Sequence, residues 1–348
     1  MKRFTADFET STWCYDETWV WAWALCDIDE PDHVDVGNSI ESFFERIKKE
    51  HNPYIYFHNL KFDGEFIIYY LMKNGYEWVE SKEKRSNTFS TLISDMGLFY
   101  SIEVFFEVGK DVKKVTFIDS LKIINMKVKD IAKTFNLPIS KLEIDYNEFR
   151  EVGHELTKEE HEYVQNDVKI VAMALNELFK EKLTKMTAAS NAMHYYKQIT
   201  GRQKFEHYFP ELTEDIDLEI RKAYKGGFTY LNPIYKEKDV NAGVVLDVNS
   251  LYPSTMASCK LPFGEPVYFE GKYKEDKVYD LYIQMLSCSF KLKKNKIPTI
   301  QIKNNKAFFR ANEYLESSDN EIVVLTLTNI DLKLFFEQYE VYDLEYIC

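Results

Sequence analysis

The sequence contains no apolar run that approaches the ~18 residues of a transmembrane helix, and we therefore expect no membrane partner. At the N-terminus an acid, Asp7, comes before the apolar core of a secretory signal could form. The five cysteines are dispersed and form no Cys-x-x-Cys pair, which disfavours zinc sites and a disulfide framework. These absences together predict reduced thiols in a cytosol-like, cytoplasmic compartment.

Internal repeats, low-complexity segments and long flexible linkers are also absent from the 348 residues. Hydrophobic residues make up 45% of the chain, which is enough apolar surface to build cores and excludes a long disordered chain. The length predicts roughly two or three domains. Aromatic residues reach 16%, a high share that suits either aromatic cores or stacking platforms for bases or sugars.

The formal net charge of −13 disfavours a nucleic-acid partner, because the phosphates of nucleic acids attract Lys and Arg. The charge is segregated along the chain, however. Ranges 182–205 and 281–310 contain basic residues and no acid, whereas range 311–348 contains nine acids and one basic residue, Lys333. Local patches steer a polyanion more than the total charge does, although lysine-rich stretches are also common on ordinary solvated faces.

Hydrophobic periodicity predicts strands that alternate with helices up to about residue 183, a pattern typical of an α/β layer domain. A long helix is predicted to begin after Thr157, because Thr157 and Glu160 form a capping-box pattern. A second unit is predicted to open with a strand at 244–248 and to include a helix at about 329–338. The predicted elements of the first unit are strands at 4–9, 19–25, 54–57, 89–93, 98–106 and 113–118 and helices at 38–50, 62–73 and 127–135.

Four acidic side chains and one tyrosine fall where they could form a metal site. Asp7 and Glu9 are two residues apart on a predicted strand and therefore share one face. Asp63 follows a later strand, and Tyr163 and Asp167 share one face of the capped helix through their i, i+4 spacing. Each feature alone is more often a solvated surface, but clustered carboxylates repel one another unless a divalent cation lies between them. Together they have the composition that two-metal phosphodiester cleavage requires.

Three strings resemble the DEDD 3′–5′ exonucleases: Asp-Phe-Glu-Thr at 7–10, His-Asn-Leu-Lys-Phe-Asp-Gly at 58–64 and Tyr-Val-Gln-Asn-Asp at 163–167. They are more narrowly similar to the proofreading domain of protein-primed family B DNA polymerases, the phi-twenty-nine-type phage enzymes. This resemblance implies an α/β fold with a ribonuclease-H-like mixed sheet. It implies that Tyr163 orients the attacking water. Two Mg²⁺ ions, or Mn²⁺ in their place, are then implied to bind Asp7, Glu9, Asp63 and Asp167.

The same resemblance implies contacts with the frayed 3′ end of single-stranded DNA. Phe62 would offer a stacking face, although an aromatic residue also suits core packing there. Lys141 would assist cleavage as a cation near the phosphate, although it also suits an exposed surface position. The positions implied to bind the strand are Thr10, His58, Asn59, Phe62, Ser120 and Leu121.

A second set of strings resembles the polymerase part of the same family. Asp-Val-Asn-Ser-Leu-Tyr-Pro-Ser at 247–254 is similar to the first palm motif. The similarity implies that Asp247 is a catalytic metal ligand at the nucleotide triphosphate and that Tyr252 stacks under the sugar of that nucleotide. A Tyr-x-Gly-Gly motif that touches the template strand is matched by Tyr224, Gly226 and Gly227. Glycines of this kind also suit a plain turn.

Two motifs of the family do not occur in the 348 residues: the fingers helix Lys-x₃-Asn-Ser-x-Tyr-Gly and the palm strand Tyr-x-Asp-Thr-Asp. A single palm carboxylate cannot hold two Mg²⁺ ions, so we expect no DNA synthesis by this chain alone. Either a second polypeptide completes it or it is a truncated or interrupted gene product. The predicted organisation is an α/β exonuclease domain at 1–187, the beginning of an α+β palm at 188–258, and an insertion subdomain at 259–348 that contacts the terminal protein primer and duplex DNA.

The leading hypothesis is therefore the N-terminal part of a protein-primed replicative DNA-directed DNA polymerase with a 3′–5′ proofreading exonuclease. Two alternatives stay open on the sequence. One is a free-standing 3′–5′ exonuclease that acts on single-stranded DNA. The other is a non-catalytic module that binds DNA or the primer protein.

Overall fold

The structure is a computed structural model that describes residues 2–11, 17–80, 85–109, 111–146, 148–301 and 314–348. The chain divides into two compact units, Met1–Ile199 and Thr200–Cys348. The domain boundaries expected after residues 187 and 258 stay predictions. In the described part of the chain, no helix is both long and apolar enough to cross a membrane.

The first unit alternates strands and helices, as the periodicity predicts. Its strands are β1 (Arg3–Thr10), β2 (Val20–Asp27), β3 (Val34–Gly37), β4 (Tyr54–Phe57), β5 (Glu77–Trp78), β6 (Thr88–Ile93), β7 (Phe99–Val108) and β8 (Asp111–Asp119). Its helices are α1 (Ile40–Ile47), α2 (Leu60–Lys73), α3 (Val128–Thr134), α4 (Lys158–Lys180) and α5 (Ala188–Thr200).

The eight strands of this unit form one mixed sheet in the order β3-β2-β1-β4-β8-β7-β6-β5. The central strands β1, β4 and β8 are parallel neighbours, whereas β2 and β7 run antiparallel to the strands beside them. The predicted mixed α/β architecture is confirmed. Because the carboxyl ends of parallel strands meet at one edge, the segments that follow β4 and β8 lie beside the second half of β1.

Helices cover both faces of this sheet. On one face α1 and α2 pack against the apolar side of β1, and residues such as Phe43, Phe57 and Ile67 form the core there. On the other face α3 and α4 form a second core, which includes Val164 and Val168. The face of β1 that carries the acids is therefore covered by α4 instead of facing open solvent. The predicted capping box at the start of α4 is present, which confirms where this helix begins.

The second unit contains helices and a smaller sheet. Its strands β9 (Ile283–Leu292), β10 (Val323–Thr328) and β11 (Tyr339–Tyr346) pair antiparallel in the order β10-β9-β11. Helix α9 (Asn329–Gln338) packs with them around Phe290, Phe335 and Tyr339. The predicted helix at 329–338 is confirmed. The elements of this unit are α6 (Arg202–Tyr208), α7 (Glu214–Arg221), α8 (Leu251–Ser258), β9 (Ile283–Leu292), β10 (Val323–Thr328), α9 (Asn329–Gln338) and β11 (Tyr339–Tyr346).

The strand predicted at 244–248 is wrong in this structure. Val244, Val245 and Leu246 are 84%, 97% and 88% exposed, and the segment pairs with no strand in the described part of the chain. A strand needs a neighbour for its hydrogen bonds, so apolar periodicity alone does not produce one. Residues 302–313, part of the predicted basic stretch and of the predicted insertion, lie outside the described residues.

Candidate carboxylate site

Three elements of the first unit bring the predicted acids together. Asp7 and Glu9 lie on β1, Asp63 lies in the first turn of α2, and Asp167 lies on α4. Carboxylate oxygens of Asp7, Glu9 and Asp167 all lie within 4.8 Å of one another, the single such group of three found in the described part of the chain. The fourth acid, Asp63, accepts a hydrogen bond from the Phe8 N–H at 3.2 Å, which places it beside β1.

Strand register explains why these side chains meet. Ala6 of β1 is level with Phe57, the last residue of β4, so the next residue, Asp7, lies beside the loop that leads into α2. Gly64 lets α2 approach the sheet closely, since a Cβ at this position would lie 3.2 Å from side-chain atoms of Phe99 and Ile102. The opposite wall of the site is α4, tied to β1 by a hydrogen bond of 2.9 Å from Thr5 Oγ1 to the Val168 carbonyl.

The carboxylates of the site are held in an environment that disfavours their charge. Burial raises the pKa of Asp7 to about 7, and the neighbouring Asp167 adds to this effect. Burial also raises the pKa of Glu9 and of Asp63 well above the ordinary range, with the charge of Asp7 as the next cause for both. Such a set of repelling acids gains most from a bound divalent cation with oxygen ligands.

Lys141 contacts one of these acids, Asp167. Its Nζ donates to Asp167 Oδ2 at 2.5 Å. The other carboxylate oxygen, Asp167 Oδ1, is buried and has no hydrogen-bond partner within 3.5 Å among the described residues. Burial raises the pKa of Asp167, and the hydrogen bond from Lys141 opposes that rise. One lysine cannot balance four clustered carboxylates, so this donor set fits Mg²⁺ or Mn²⁺ chemically.

Tyr163 is almost fully buried on the same face of α4 as Asp167. Its hydroxyl lies 2.6 Å from the hydroxyl of Tyr146. Burial raises the pKa of Tyr163, and the charges of Glu9 and Asp167 add to the effect, so that the phenol stays protonated. Sequence reasoning did not single out Tyr146. The available signal was its place five residues after Lys141, in the same irregular segment.

Arg150 anchors that segment and was also missed by sequence reasoning. Its buried guanidinium donates to Glu160 and, at 2.8 and 3.1 Å, to the carbonyls of Asp145 and Glu148. The same guanidinium lies over the Trp21 ring, 4.8 Å from its centroid. Lys141 and Tyr146 therefore belong to a segment without helix or strand, and a buried arginine helps to hold this segment against α4.

The loop that leads into α2 carries three of the residues predicted to bind DNA. Asn59 and Phe62 are exposed beside Asp63, and Phe62 is 49% exposed, so its ring is available for stacking. His58 uses both ring nitrogens within the fold, with Nδ1 3.1 Å from Ser120 Oγ and Nε2 2.8 Å from the Met126 carbonyl. Burial lowers the pKa of His58, while the Met126 contact opposes the change.

The remaining residues of this unit that are predicted to bind DNA are less exposed to solvent. Ser120 is fully buried, and its hydroxyl donates to the Phe57 carbonyl at 3.0 Å. Thr10 is buried at the end of β1, and Leu121 is half-buried. Ser120 and Leu121 adjoin the loop that carries His58, because Asp119 at the end of β8 is paired with Phe57.

The predicted polymerase residues lie in the second unit and are exposed there. A Cβ added at Gly227 would lie 3.5 Å from the Tyr252 hydroxyl, so the glycine motif and the predicted palm motif are close neighbours. Gly226 faces open space, and Tyr224 is exposed. Asp247 belongs to no group of three potential metal ligands in the described part of the chain.

The fold and this site define a mixed α/β protein with a carboxylate cluster of the kind that binds divalent cations. The family model described as DNA polymerase type B, organellar and viral, matches residues 44–153 and 143–348. The chain belongs to this family. The resemblance to phi-twenty-nine-type DNA polymerases that the motifs indicated is confirmed.

Individual relatives agree with the family model. The chain is 49% identical over 347 residues to the DNA polymerase of Bacillus phage Nf and 46% identical to that of Bacillus phage phi29. It is similar to the structure of Phi29 DNA polymerase in an orthorhombic crystal form, with a TM-score of 0.92 and 44% identity. The TM-score is 0.87 for the Phi29 ternary complex with primer-template DNA and incoming nucleotides. These matches cover 99% of this chain, which spans 60% of the length of each relative.

Proposed function

We propose that this chain is the N-terminal portion of a protein-primed replicative DNA-directed DNA polymerase and that its first unit is a ribonuclease-H-like 3′–5′ proofreading exonuclease. The observation that supports this proposal most is the meeting of Asp7, Glu9 and Asp167 within 4.8 Å. The unpartnered Oδ1 of Asp167 adds to it, because a buried carboxylate oxygen without a donor is a natural ligand for a hard cation.

In this proposal Asp7, Glu9, Asp63 and Asp167 hold two Mg²⁺ ions, for which Mn²⁺ can substitute. When bound, the ions would supply activation of the attacking water at neutral pH and stabilisation of the charge on the leaving 3′ oxygen. The Tyr163 hydroxyl hydrogen-bonds the attacking water, and its own orientation is held by Tyr146. Lys141 contributes positive charge next to Asp167, where a phosphate would otherwise meet only carboxylates.

The substrate in this proposal is the 3′ end of single-stranded DNA. Phe62 presents an exposed ring beside Asp63 and stacks on a base, as aromatic residues do in many single-strand sites. Asn59 offers an exposed amide to the same strand. His58 and Ser120, whose polar atoms are used within the fold, shape the strand site together with Thr10 and Leu121.

The polymerase part of the proposal rests on the second unit. Asp247 would bind metal at the incoming nucleotide and Tyr252 would stack under its sugar, while Tyr224, Gly226 and Gly227 contact the template. The closeness of Gly227 to Tyr252 supports this grouping. Residues 259–348 are proposed to form the insertion subdomain that contacts the terminal protein primer and duplex DNA. Phi29 DNA polymerase has been solved with primer-template DNA, and we extend that partner to this chain.

DNA synthesis is proposed to need fingers and palm segments that the 348 residues do not contain, supplied in the same polypeptide or by a second one. The segment 244–246 offers exposed apolar side chains to such a partner. The relatives are bacteriophage polymerases, so the proposed place of action is the cytoplasm of the host cell. A primer-extension assay of the chain alone tests this part, and synthesis by the purified 348 residues would contradict it.

The exonuclease is tested with a 5′-labelled single-stranded oligonucleotide. We expect Mg²⁺-dependent shortening from the 3′ end, lost in the double variant Asp7→Ala with Glu9→Ala. The matched control is Asp95→Ala with Asp111→Ala, which removes two exposed acids outside the site. An oligonucleotide that keeps its full length after incubation with the wild-type chain and Mg²⁺ or Mn²⁺ would contradict the proposal and favour a non-catalytic binding module.

A further inference from the structure

Asp119, the last residue of β8, is 1% exposed and ties two distant segments together. Its Oδ1 accepts hydrogen bonds from the N–H groups of Asn59 at 3.1 Å, Leu60 at 3.3 Å and Leu121 at 3.0 Å. The first two donors belong to the start of α2 and the third to the short 3₁₀ turn after β8. One buried carboxylate oxygen therefore fixes the distance between the two segments proposed to hold the 3′ strand.

The carboxylate of Asp119 takes over the capping of α2 from the side chain of Asn59. Asn59 is the N-cap of α2 and has φ 81° and ψ 55°, in the left-handed region, with no hydrogen bond from its own side chain to the helix. A cap residue normally uses its side chain to satisfy the first N–H groups of the helix. At this helix the carboxylate of Asp119 accepts from the first of these groups instead. The Asn59 amide is thereby left exposed and available to a ligand.

The second segment is organised by the same residue. Asp119 caps the 3₁₀ turn Ser120–Lys122 through the N–H of Leu121. The ammonium of Lys122 lies 3.2 Å from the other carboxylate oxygen, Oδ2, and offsets its charge. The contact between His58 and Ser120 joins the two segments a second time. The carboxylate itself is buried and does not face the strand.

We propose that Asp119 is a positioning residue for the 3′ strand, one that acts by holding Asn59 in its left-handed conformation and Leu121 at a set distance from it. This inference rests on the proposed exonuclease function. It assigns Asp119 to strand binding and not to the chemistry at the carboxylates. A defect at Asp119 should therefore appear in the KM for long substrates and leave the turnover of a minimal substrate nearly unchanged.

The test compares two substrates with two variants, Asp119→Ala and Asp119→Asn. One substrate is a 5′-labelled oligothymidylate, and the other is the p-nitrophenyl ester of thymidine 5′-phosphate, which has no nucleotide upstream of the cleaved bond. We expect Asp119→Ala to raise the oligonucleotide KM about tenfold, the size expected from loss of hydrogen bonds to a charged acceptor. The kcat for the ester should stay within about twofold of wild type. Asp119→Asn keeps an acceptor oxygen, so its oligonucleotide KM should lie between those of the wild type and Asp119→Ala.

Binding is measured separately, with the same oligonucleotide and Ca²⁺ in place of Mg²⁺ so that the strand is not degraded. The matched control is Leu71→Ala, which opens a cavity near the far end of α2 and lowers stability without touching either segment. Leu71→Ala should leave the oligonucleotide KM unchanged. Should Asp119→Ala fail to fold, Asp119→Asn is the deciding variant, through its oligonucleotide KM and its affinity for the oligonucleotide in the presence of Ca²⁺.

Three outcomes are distinguishable. A wild-type chain that degrades neither substrate contradicts the proposed function itself. A wild-type chain that is active, with an unchanged oligonucleotide KM in the Asp119 variants, overturns only the positioning role. An equal loss of kcat on both substrates, in folded protein, also overturns it, because Asp119 would then act on the metal centre.

Discussion

Lys141 Nζ donates to Asp167 Oδ2 at 2.5 Å, while the Oδ1 of the same carboxylate is buried without a hydrogen-bond partner among the described residues. The two oxygens therefore have different roles. The first is neutralised by a lysine from an irregular segment, and we propose that the second is available to a cation bound together with Asp7 and Glu9. This division makes Lys141 a determinant of how readily Asp167 loses its proton.

Replacing Lys141 by methionine should slow 3′ digestion and move its pH dependence. Without the lysine, the effect of burial on Asp167 is opposed less, so the pKa of Asp167 rises further and the acidic limb of the kcat profile shifts to higher pH. We expect a loss of ~10- to 100-fold in kcat near neutral pH. The matched control is Lys133→Met, an exposed lysine at the end of α3. An unshifted profile would contradict this role of Lys141.

Divalent cations should stabilise the first unit more at high pH than at low pH. The pKa of Asp7 is raised by burial from 3.8 to about 7, so the folded state binds a proton that the unfolded chain releases. In the absence of metal this group favours folding at low pH, and that contribution is lost as the pH rises towards about 7. Bound Mg²⁺ or Ca²⁺ offsets the repulsion of the ionised carboxylates.

Thermal melts with and without Ca²⁺ at pH 6 and pH 8 measure this effect. The rise in Tm on adding Ca²⁺ should be larger at pH 8, because protons no longer compete for the carboxylates. Asp7→Asn should remove most of the rise in Tm at both pH 6 and pH 8. An equal or larger rise at pH 6 would show that the cation does not bind at these acids.

Arg150→Met should destabilise the first unit by about 3 kcal/mol, because it leaves the buried Glu160 carboxylate without its guanidinium partner. Urea unfolding measures the loss. Lys180→Met, which removes an exposed pair with Glu177, should cost no more than about 0.5 kcal/mol and serves as the control. A loss at Arg150 as small as that of the control would mean that the segment is anchored elsewhere.

The effect of Arg150 should also depend on pH. Burial alone would raise the pKa of Glu160, but hydrogen bonds from Arg150, the Thr157 N–H and His154 lower it to about 2. A lowered pKa stabilises the folded state above the ordinary value of 4.5, and the stabilisation is lost as the pH falls towards about 2. The difference in the free energy of unfolding between wild type and Arg150→Met should therefore shrink as the pH falls from 7 to 3.

The hydroxyl pair of Tyr146 and Tyr163 should act as a unit. Tyr163→Phe removes the group proposed to orient the water, and we expect kcat to fall ~10- to 100-fold with oligonucleotide binding retained. Tyr146→Phe leaves the Tyr163 hydroxyl without its 2.6 Å partner and should cost several-fold less than that. The double variant should be no slower than Tyr163→Phe alone. If the losses in kcat of the two single variants multiply in the double variant, the two tyrosines have independent roles. The control is Tyr69→Phe, at an exposed tyrosine.

Several features of the fold and site could be predicted because their signals are local. Two-residue spacing placed Asp7 and Glu9 on one face of β1, and the i, i+4 spacing placed Tyr163 beside Asp167 on α4. Thr157 and Glu160 marked the start of that helix through groups only three residues apart. The family motifs then located Asp63 and Lys141, which the structure brings to the same site.

The contributions of Tyr146, Arg150 and Asp119 depend on contacts between segments far apart in the sequence. Arg150 meets Trp21, and Asp119 meets Asn59, through packing that no periodicity encodes. The same reason explains the wrong strand at 244–248, since a strand depends on the strand next to it as much as on its own residues.

Local patterns in the sequence predicted the alternation of strands and helices, the family, and the identity of the acids, because periodicity, capping and motifs are properties of neighbouring residues. The tertiary structure was needed to show that α4 covers the acidic face of β1 and that Lys141 contacts Asp167. It also decided which oxygen of Asp167 is left unpartnered. Burial and electrostatic coupling arise when distant segments pack together, and these two effects set the charge of the site.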